Sequence, residues 1–449
     1  MANMRVGAAV RTGHRMRGSH ANSTNLRDVS PGSQQQWFAR DSTVAGWDGG
    51  VWNMVFTGVD GSQPSHCGLD EASAAGASPV TSLASTPSIA EKPFITFAPS
   101  TGKYSLVVPS LKTASHGADF DGRAAATATA TASVVPFEHV YVTAPTDSAA
   151  TINAKLAAGL HVVFSPAIYH LEEPLRVETA GTVLLGLGLA TLVSARQNTL
   201  IRVGDVDGVQ VAGLLLQAGP GPAAGPSVGD DSAAAPVLLQ WGTGGGYAGS
   251  AAAPGLMHDL SARVGGPDGT KADPVAAATM VHVQSGHVIG DNLWLWRADH
   301  AAGGPVSYAT NPVEHGLVVD GDDVTMYGLA VEHTTKDLTV WNGERGATYF
   351  YQSELPYGAT QAEFGDAGYC GYRVAPHVQK HGGWGIGVYS FFRDDAVTVE
   401  SGIVCPSALE ASFVAPLTVF LSGKGGIKHV INDKGNASLG PQTSVNYVC

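Results

Sequence analysis

The chain has 449 residues, of which 44% are hydrophobic, 14% are charged and 57 are glycines. Few charges and many glycines favour strands and tight turns over a helical bundle. The formal net charge of −13 disfavours nucleic acid and anionic membrane surfaces as partners, because both attract clustered Lys and Arg. No apolar run reaches membrane-spanning length, so we expect no membrane insertion.

Three segments are predicted along the chain. Residues 1–30 are expected to be a disordered or targeting segment, because they contain several Arg but no apolar stretch typical of a secretory signal. Residues 31–134 are expected to be a partial, β-rich N-terminal segment with linkers at 62–92 and 123–133, which are rich in small residues. Residues 135–449 are predicted to form one solenoid domain.

The solenoid is predicted to begin with a short capping helix over Ser148–Ala158. Strands of three to five residues follow, the first of them at His161–Phe164, and each is interrupted by Gly or Pro. Such spacing is typical of strands that turn corners rather than of hairpins.

An imperfect repeat supports this prediction. The stretches Val209–Gln217, Val288–Trp296 and Val324–Glu332 each contain a Val, then Gly or Asn four residues later, then alternating apolar residues. Gly and Asn tolerate the left-handed backbone of a corner, and internal self-similarity is typical of solenoids. The predicted fold is all-β, a right-handed parallel β-helix with loop insertions at 220–236 and 242–254.

Alternation along these strands predicts which side chains face the core. Three equivalent pairs should point inward: Leu214/Leu216, Leu293/Leu295 and Leu329/Val331. Trp294, Trp296 and Glu332 should then point outward. If the two coils are adjacent, Trp296 lies beside Glu332, at about 5 Å along the axis.

The stretch Phe164-Ser165-Pro166-Ala167-Ile168-Tyr169 resembles the turn in the opening coil of pectate-lyase-like β-helix proteins. Other stretches are similar to proteins related to glycoside hydrolase family 55, namely residues 35–38, 49–56, 296–300, 316–324 and 341–357. This resemblance implies two tandem β-helices with a carbohydrate cleft between them, and exo-acting hydrolysis of β-1,3-glucan with inversion. By the same resemblance, residues 30–110 look like the tail of the first helix. A polysaccharide substrate, an extracellular or cell-wall location and a monomeric state are the corresponding expectations.

Glu332 and Glu354 are the predicted catalytic residues. Inverting hydrolysis needs an acid and a base, and the acid should lie against apolar walls that raise its pKa. Both glutamates follow apolar strands, and their spacing of 22 residues is about one coil. Either one is a candidate for the acid, and the alternative for each is a surface carboxylate that ends a strand.

The predicted substrate-binding residues are aromatic or polar residues close to these glutamates in the sequence: Trp294, Trp296, Arg297, Asp299, His300, His333, Trp341, Asn342 and Gln352. Alternatives remain for several of them. Trp341 is alternatively a cap on the core, and Arg297 and Asp299 are alternatively a structural salt bridge. Glu344 and Arg345 are expected to pair with each other.

Neither a metal nor a cofactor is expected. Asp320, Asp322 and Asp323 form only a small cluster in a turn, where Asp commonly bonds the backbone. The four cysteines lack zinc-ligand spacing, and Cys370 and Cys405 are candidates for a disulfide. Two alternative functions remain open, a non-catalytic carbohydrate-binding or cell-wall protein and a calcium-dependent polysaccharide lyase.

Overall fold

The computed structural model describes residues 5–6, 17–25, 27–32, 34–67, 79–118, 132–220, 236–267, 275–301 and 304–449. Much of the predicted segment 1–30, of the linkers 62–92 and 123–133 and of the insertion 220–236 lies outside these ranges. No helix within them is long and apolar enough to cross a membrane.

The N-terminal unit is a small sheet in which every strand pair is parallel. Its strands are β1 (Arg5–Val6), β2 (Arg17–Ala21), β3 (Thr24–Asn25), β4 (Gln36–Val44), β5 (Asn53–Asp60) and β6 (Val80–Leu83). Along β4 the side chains alternate between two environments. Trp37 and Ala39 pack inside the unit, whereas Phe38 on the opposite face packs against the rest of the molecule.

Two small antiparallel sheets connect this unit to the remainder of the chain. They contain β7 (Thr86–Ile89), β8 (Phe94–Ala98), β9 (Lys103–Val108), β10 (Lys112–Ser115) and β11 (Ser133–Pro136). Leu106 of β9 is buried against Val183 and Leu185, so the second of these sheets lies over the first coils of the large domain.

The large domain is a parallel β-helix, as predicted. It opens with β12 (Val140–Val142) and helix α1 (Ala149–Ala157), whose first turn is capped by the Ser148 hydroxyl accepting from the Thr151 amide. The later strands are β13 (His161–Phe164), β14 (Ile168–Leu171), β15 (Leu175–Val177), β16 (Val183–Ser194), β17 (Ile201–Val203), β18 (Gln210–Gln217), β19 (Val237–Trp241), β20 (Gly255–His258), β21 (Ser261–Val264), β22 (Ala277–Val283), β23 (Val288–Arg297), β24 (His300–Ala301), β25 (Gly304–Pro305), β26 (Val313–Val319), β27 (Thr325–Glu332), β28 (Thr339–Trp341), β29 (Gly346–Glu354), β30 (Tyr372–Val374), β31 (His381–Val404), β32 (Phe413–Val414), β33 (Leu417–Ile431), β34 (Ser438–Leu439) and β35 (Ser444–Tyr447). Short helical turns lie at Phe137–His139, Gln361–Gly365 and Ser407–Ser412.

Successive coils stack in register with parallel pairing. β23 pairs with β27 and β27 pairs with β29 in parallel. The last strands, β34 and β35, pair antiparallel to β33, and the short strands β24 and β25 pair antiparallel to each other. The predicted corner residues Gly213, Asn292 and Gly328 have φ of 67°, 60° and 63°, so each adopts the left-handed backbone. The six predicted core residues, Leu214, Leu216, Leu293, Leu295, Leu329 and Val331, are all fully buried. The predicted alternation is therefore confirmed.

A buried ion network joins the N-terminal unit to the β-helix. The Arg40 guanidinium donates to Asp291 at 3.0 and 2.7 Å and to Glu91 at 3.0 Å through each of two nitrogens. Lys112 also donates to Glu91, at 3.0 Å. Because Arg40 is only 2% exposed, these carboxylates are the partners that compensate its loss of hydration.

The cysteine prediction is wrong. The disulfide joins Cys67 to Cys449, and Cys370 and Cys405 are free and buried. Cys370 instead donates to the Asp337 carboxylate at 3.3 Å.

Candidate active site

Two glutamates lie side by side on the outer face of one row of the β-helix. In this row Trp296 is opposite Glu332, Glu332 is opposite Glu354, and Glu354 is opposite Tyr389, each on the neighbouring strand. Both glutamates end their strands, β27 and β29, at equivalent positions. The predicted juxtaposition of the two carboxylates and of Trp296 is therefore present in the structure.

Glu354 is a buried acid. It is 1% exposed, and burial together with the negative charge of nearby Glu332 raises its pKa from the usual 4.5 to about 8. The Tyr357 hydroxyl donates to Glu354 Oε2, and Gln352 Nε2 lies 3.4 Å from Oε1. At neutral pH this side chain is therefore a carboxylic acid with a proton to give.

Two tryptophans lie beside the glutamates, and we call the surface formed by Trp294, Trp296, Glu332 and Glu354 the groove. Trp294 is 42% exposed and donates its indole N–H to Glu332 Oε2 at 3.0 Å. Its ring stacks on that of Trp296, with the two centroids 5.8 Å apart and the planes at 27°. An exposed aromatic face beside carboxylates presents both an apolar surface and hydrogen-bond acceptors, the combination that a sugar ring with its hydroxyls requires.

An Asp–His group lies next to the tryptophans, with the ring centroids of His300 and Trp296 5.4 Å apart. Asp299 Oδ1 accepts a hydrogen bond from His300 Nδ1 at 3.0 Å, and it lies 3.8 Å from His333 Nε2. His333 is 3% exposed, and burial lowers its pKa to about 4, so it is neutral at pH 7. Its ring packs edge-on against Tyr357 at 4.3 Å. The negative charge of Asp299 also contributes to raising the pKa of Glu354.

Arg297 has a different role from the two that the sequence suggested. It is 2% exposed and donates to the backbone carbonyls of Asn311, His333, Ser307, Tyr308 and Thr310, at 2.6–3.0 Å. No salt bridge with Asp299 is found among the described residues. Arg297 thus holds the loop after β23, and its buried guanidinium is occupied by backbone rather than by a ligand.

Trp341 and Asn342 are not part of the groove. Trp341 is fully buried in the core, with its ring 4.9 Å from that of His381. Asn342 donates to Asp320 at 2.7 Å at the turn that precedes β29, whereas Glu354 ends β29. The prediction that these two residues bind substrate is therefore wrong, and the alternative of a core position holds for Trp341.

The expected pair of Glu344 and Arg345 is also wrong. Arg345 pairs with Asp322 at 3.1 Å and Asp323 at 2.8 Å, whereas Glu344 accepts from the backbone amides of Gln379 and Lys380. Asp320 pairs with His282 at 2.6 Å. These carboxylates are therefore occupied by side chains of the protein itself, and among the described residues no group with the composition of a metal site occurs.

Two residues of interest were missed by sequence reasoning. Tyr357 contacts both Glu354 and His333, but it lies in a loop whose path no periodicity specifies. Gln36 is fully buried, and neither of its amide atoms has a hydrogen-bond partner among the described residues. It is on the same face of β4 as Phe38, which stacks on Phe350 of β29 with centroids 5.8 Å apart.

Residues 140–354 match the LAM55 pectate lyase-like domain, and the matched range ends at Glu354. The chain therefore belongs to the LAM55 family of pectate-lyase-like β-helix proteins. It is 38% identical over 421 residues to an exo-beta-1,3-glucanase of Streptomyces sp. (strain SirexAA-E / ActE), a match that covers 93% of the chain and 64% of that protein.

Two solved structures of sacteLam55A from Streptomyces sp. SirexAA-E resemble the chain with a TM-score of 0.84. One is 38% identical, and the other, a variant in complex with glucose, is 37% identical. Each match covers 96% of this chain and 73% of the other. The chain thus spans about two thirds of the length of these relatives.

Proposed function

We propose that the chain hydrolyses β-1,3-glucan from a chain end, with Glu354 as the general acid. The observation that carries this proposal is a buried carboxyl group, held protonated near pH 7, beside a stacked pair of tryptophans. A general acid works best when its pKa is close to the working pH. The activity in the name of the Streptomyces relative supports the choice of a β-1,3-glucan.

Glu332 is proposed as the charged neighbour that keeps Glu354 protonated. The two side chains leave adjacent parallel strands, about 4.8 Å apart, in the same direction. They therefore form one wall, whereas the two carboxyl groups of a glycosidase flank the sugar from two sides. A nucleophile on the same wall as the acid cannot attack from the opposite face of the ring. This geometry favours inversion by a water molecule over a covalent intermediate on Glu332.

The water would be held on the facing wall, which the N-terminal unit supplies. We assign this role to Gln36, because its buried amide has both a donor and an acceptor without partners among the described residues. Its neighbour in the register, Asn53, donates to the Gly385 carbonyl at 2.9 Å on the coil after Glu354. We also propose that residues 31–110 are the end of a first β-helix, that the protein is a monomer, and that it acts on extracellular or cell-wall polysaccharide.

Release of glucose from laminarin tests the proposal. The wild-type protein should release glucose, and Glu354→Gln should reduce the rate by at least about a thousandfold. The exposed Glu138→Gln is the matched control and should keep full activity. Glucan binding without turnover, unchanged in Glu354→Gln, would select the non-catalytic alternative, and ultraviolet-absorbing unsaturated products would select the lyase.

The anomer of the first product tests the stereochemical part. Proton NMR of a fresh digest should show α-glucose as the initial product, which then mutarotates. If β-glucose forms first, then the reaction retains configuration and Glu332 is the nucleophile. The assignment of Glu332 and Gln36 made above would then be abandoned, whereas that of Glu354 would remain.

A further inference from the structure

Tyr357 lies in the loop that follows the strand ending at Glu354, and neighbouring coils hold its ring in place. The centroid of the ring is 4.3 Å from that of His333 and 4.8 Å from that of Phe391 on β31, and both pairs pack edge to face. The backbone carbonyl of Tyr357 accepts from the Arg393 amide at 2.9 Å. The position of the Tyr357 hydroxyl is therefore fixed by the next strand and not by its own loop alone.

This hydroxyl is a permanent donor to the buried acid. It donates to Glu354 Oε2. Burial and the negative charge of Glu354 raise the pKa of Tyr357 well above its usual 10, so the hydroxyl keeps its proton at any working pH. Gln352 Nε2, at 3.4 Å from Oε1, is by contrast at the long limit of a hydrogen bond. With Oε2 bound to Tyr357, Oε1 is the oxygen that carries the acidic proton.

The charge on Glu354 changes during the proposed hydrolysis. As the bond between C1 and the glycosidic oxygen breaks, its electron pair stays on that oxygen, which takes the proton from Oε1. A carboxylate is then left on Glu354. The attacking water adds its hydroxyl to C1, and its remaining proton restores the acid through solvent. A donor to Oε2 therefore binds more strongly as negative charge develops than it does in the neutral acid.

We propose that Tyr357 is a positioning residue for the general acid, which presents Oε1 of Glu354 to the leaving group and stabilises the carboxylate that proton transfer leaves behind. This inference rests on the proposed function for the identity of the acid, whereas the hydrogen bond itself does not depend on it. Because Tyr357 acts through Glu354, its role requires no contact with the sugar.

Tyr357 and Glu332 act on Glu354 in opposite directions. Burial is the largest cause of the raised pKa of Glu354, and the negative charge of Glu332 on the neighbouring strand adds to it, whereas the hydrogen bond from Tyr357 lowers it. Each contact can be removed separately, and the two losses should move the pKa of Glu354 in opposite directions. The titratable and charged groups that face Glu354 and Tyr357 from the surrounding elements are Glu332, Asp299, His333, Tyr389 and Arg393.

The kcat profile of Tyr357→Phe on laminarin tests the positioning role, because this change removes the hydroxyl and keeps the packing of the ring. At pH 7, kcat should fall by about tenfold or more, while KM changes less than about twofold. The basic limb should move up by about one pH unit, because the carboxylate of Glu354 loses a hydrogen bond that stabilises it. Tyr141→Phe is the matched control, since the Tyr141 hydroxyl donates to the Asp147 carboxylate at 2.7 Å on the first coil, and it should change none of these values.

A basic limb that stays at the same pH or moves to lower pH in Tyr357→Phe would overturn the positioning role, because a slower rate alone is what a structural defect produces. The pKa of Glu354 is also measured without any reaction, from the carboxyl signal in carbon-13 NMR that is absent from Glu354→Gln. An unmoved pKa in Tyr357→Phe would overturn the role whether or not glucan is cleaved. An upward movement in a protein that cleaves no glucan would retain the effect of Tyr357 on Glu354 and refute only the proposed function.

Discussion

Replacing Glu354 by Gln is expected to stabilise the folded protein at neutral pH while it abolishes hydrolysis. The folded-state pKa of Glu354 is about 8, whereas the unfolded chain has the usual 4.5. Between these values the folded state holds a proton that the unfolded state has released. The contribution of Glu354 to the free energy of unfolding is therefore fully present below pH 4.5. It falls as the pH rises towards 8 and then levels off. Gln cannot ionise, so the variant does not lose this contribution.

The gain in stability of the variant follows from the difference between the pH of the measurement and 4.5, the pKa of Glu354 in the unfolded chain. At pH 7 the gap is about 2.5 pH units, and each unit corresponds to 1.36 kcal/mol, so the variant should gain on the order of 3 kcal/mol. At pH 4.5 the two proteins should agree within about 0.5 kcal/mol. Active sites commonly carry such a stability penalty.

Urea unfolding of both proteins at pH 4.5, 6 and 7.5 measures this difference. The free-energy gap between Glu354→Gln and wild type should widen with pH, and Glu138→Gln should show no such trend. A gap that is constant across the three pH values would refute the reasoning. It would mean that the carboxyl of Glu354 has the same affinity for protons in the folded and unfolded chain.

Three other predictions concern the same groove and the interface. The rate of hydrolysis should fall above about pH 8, as Glu354 loses its proton. Glu332→Gln removes the negative charge that raises the pKa of Glu354, so it should move the basic limb of the kcat profile to lower pH. A basic limb at the same pH in the variant would contradict the role of Glu332. Trp294→Phe should keep most of the affinity for laminarin and change kcat, because it loses the N–H that donates to Glu332 but keeps an aromatic ring. Trp294→Ala should also raise KM by about tenfold or more. Identical kinetics of the two variants would contradict the proposal that the ring of Trp294 packs against the sugar. Arg40→Met should destabilise the protein by about 3–5 kcal/mol in denaturant unfolding, because Asp291 loses its partner; a change below about 1 kcal/mol would contradict the buried network.

Much of the fold was predictable because a coil repeats one local rule. A Gly or Asn corner followed by alternating apolar residues fixes which side chains face inward, and this placed Glu332 beside Trp296. The same alternation already places Arg297 on the inward side, with Leu293 and Leu295. Its burial was therefore available in the sequence, although its charge argued for the surface.

Other features depend on contacts that no local pattern encodes. Trp341 lies on a three-residue strand, and only its register with Val319 of β26 shows that it faces the core. Gln36 is some 300 residues before Glu354 in the chain, and the packing of β4 across the coils determines where it lies. The raised pKa of Glu354 likewise results from enclosure by distant segments, which the identity of a glutamate cannot reveal.

The disulfide between Cys67 and Cys449 closes a ring in the chain, because it joins two cysteines that are 382 residues apart in the sequence. A protease that cuts any surface loop within this ring opens it without separating the two pieces. Nicked molecules should therefore migrate as one species until a reductant is added. Such a closure keeps the N-terminal unit and the last coils of the β-helix joined after a first cut.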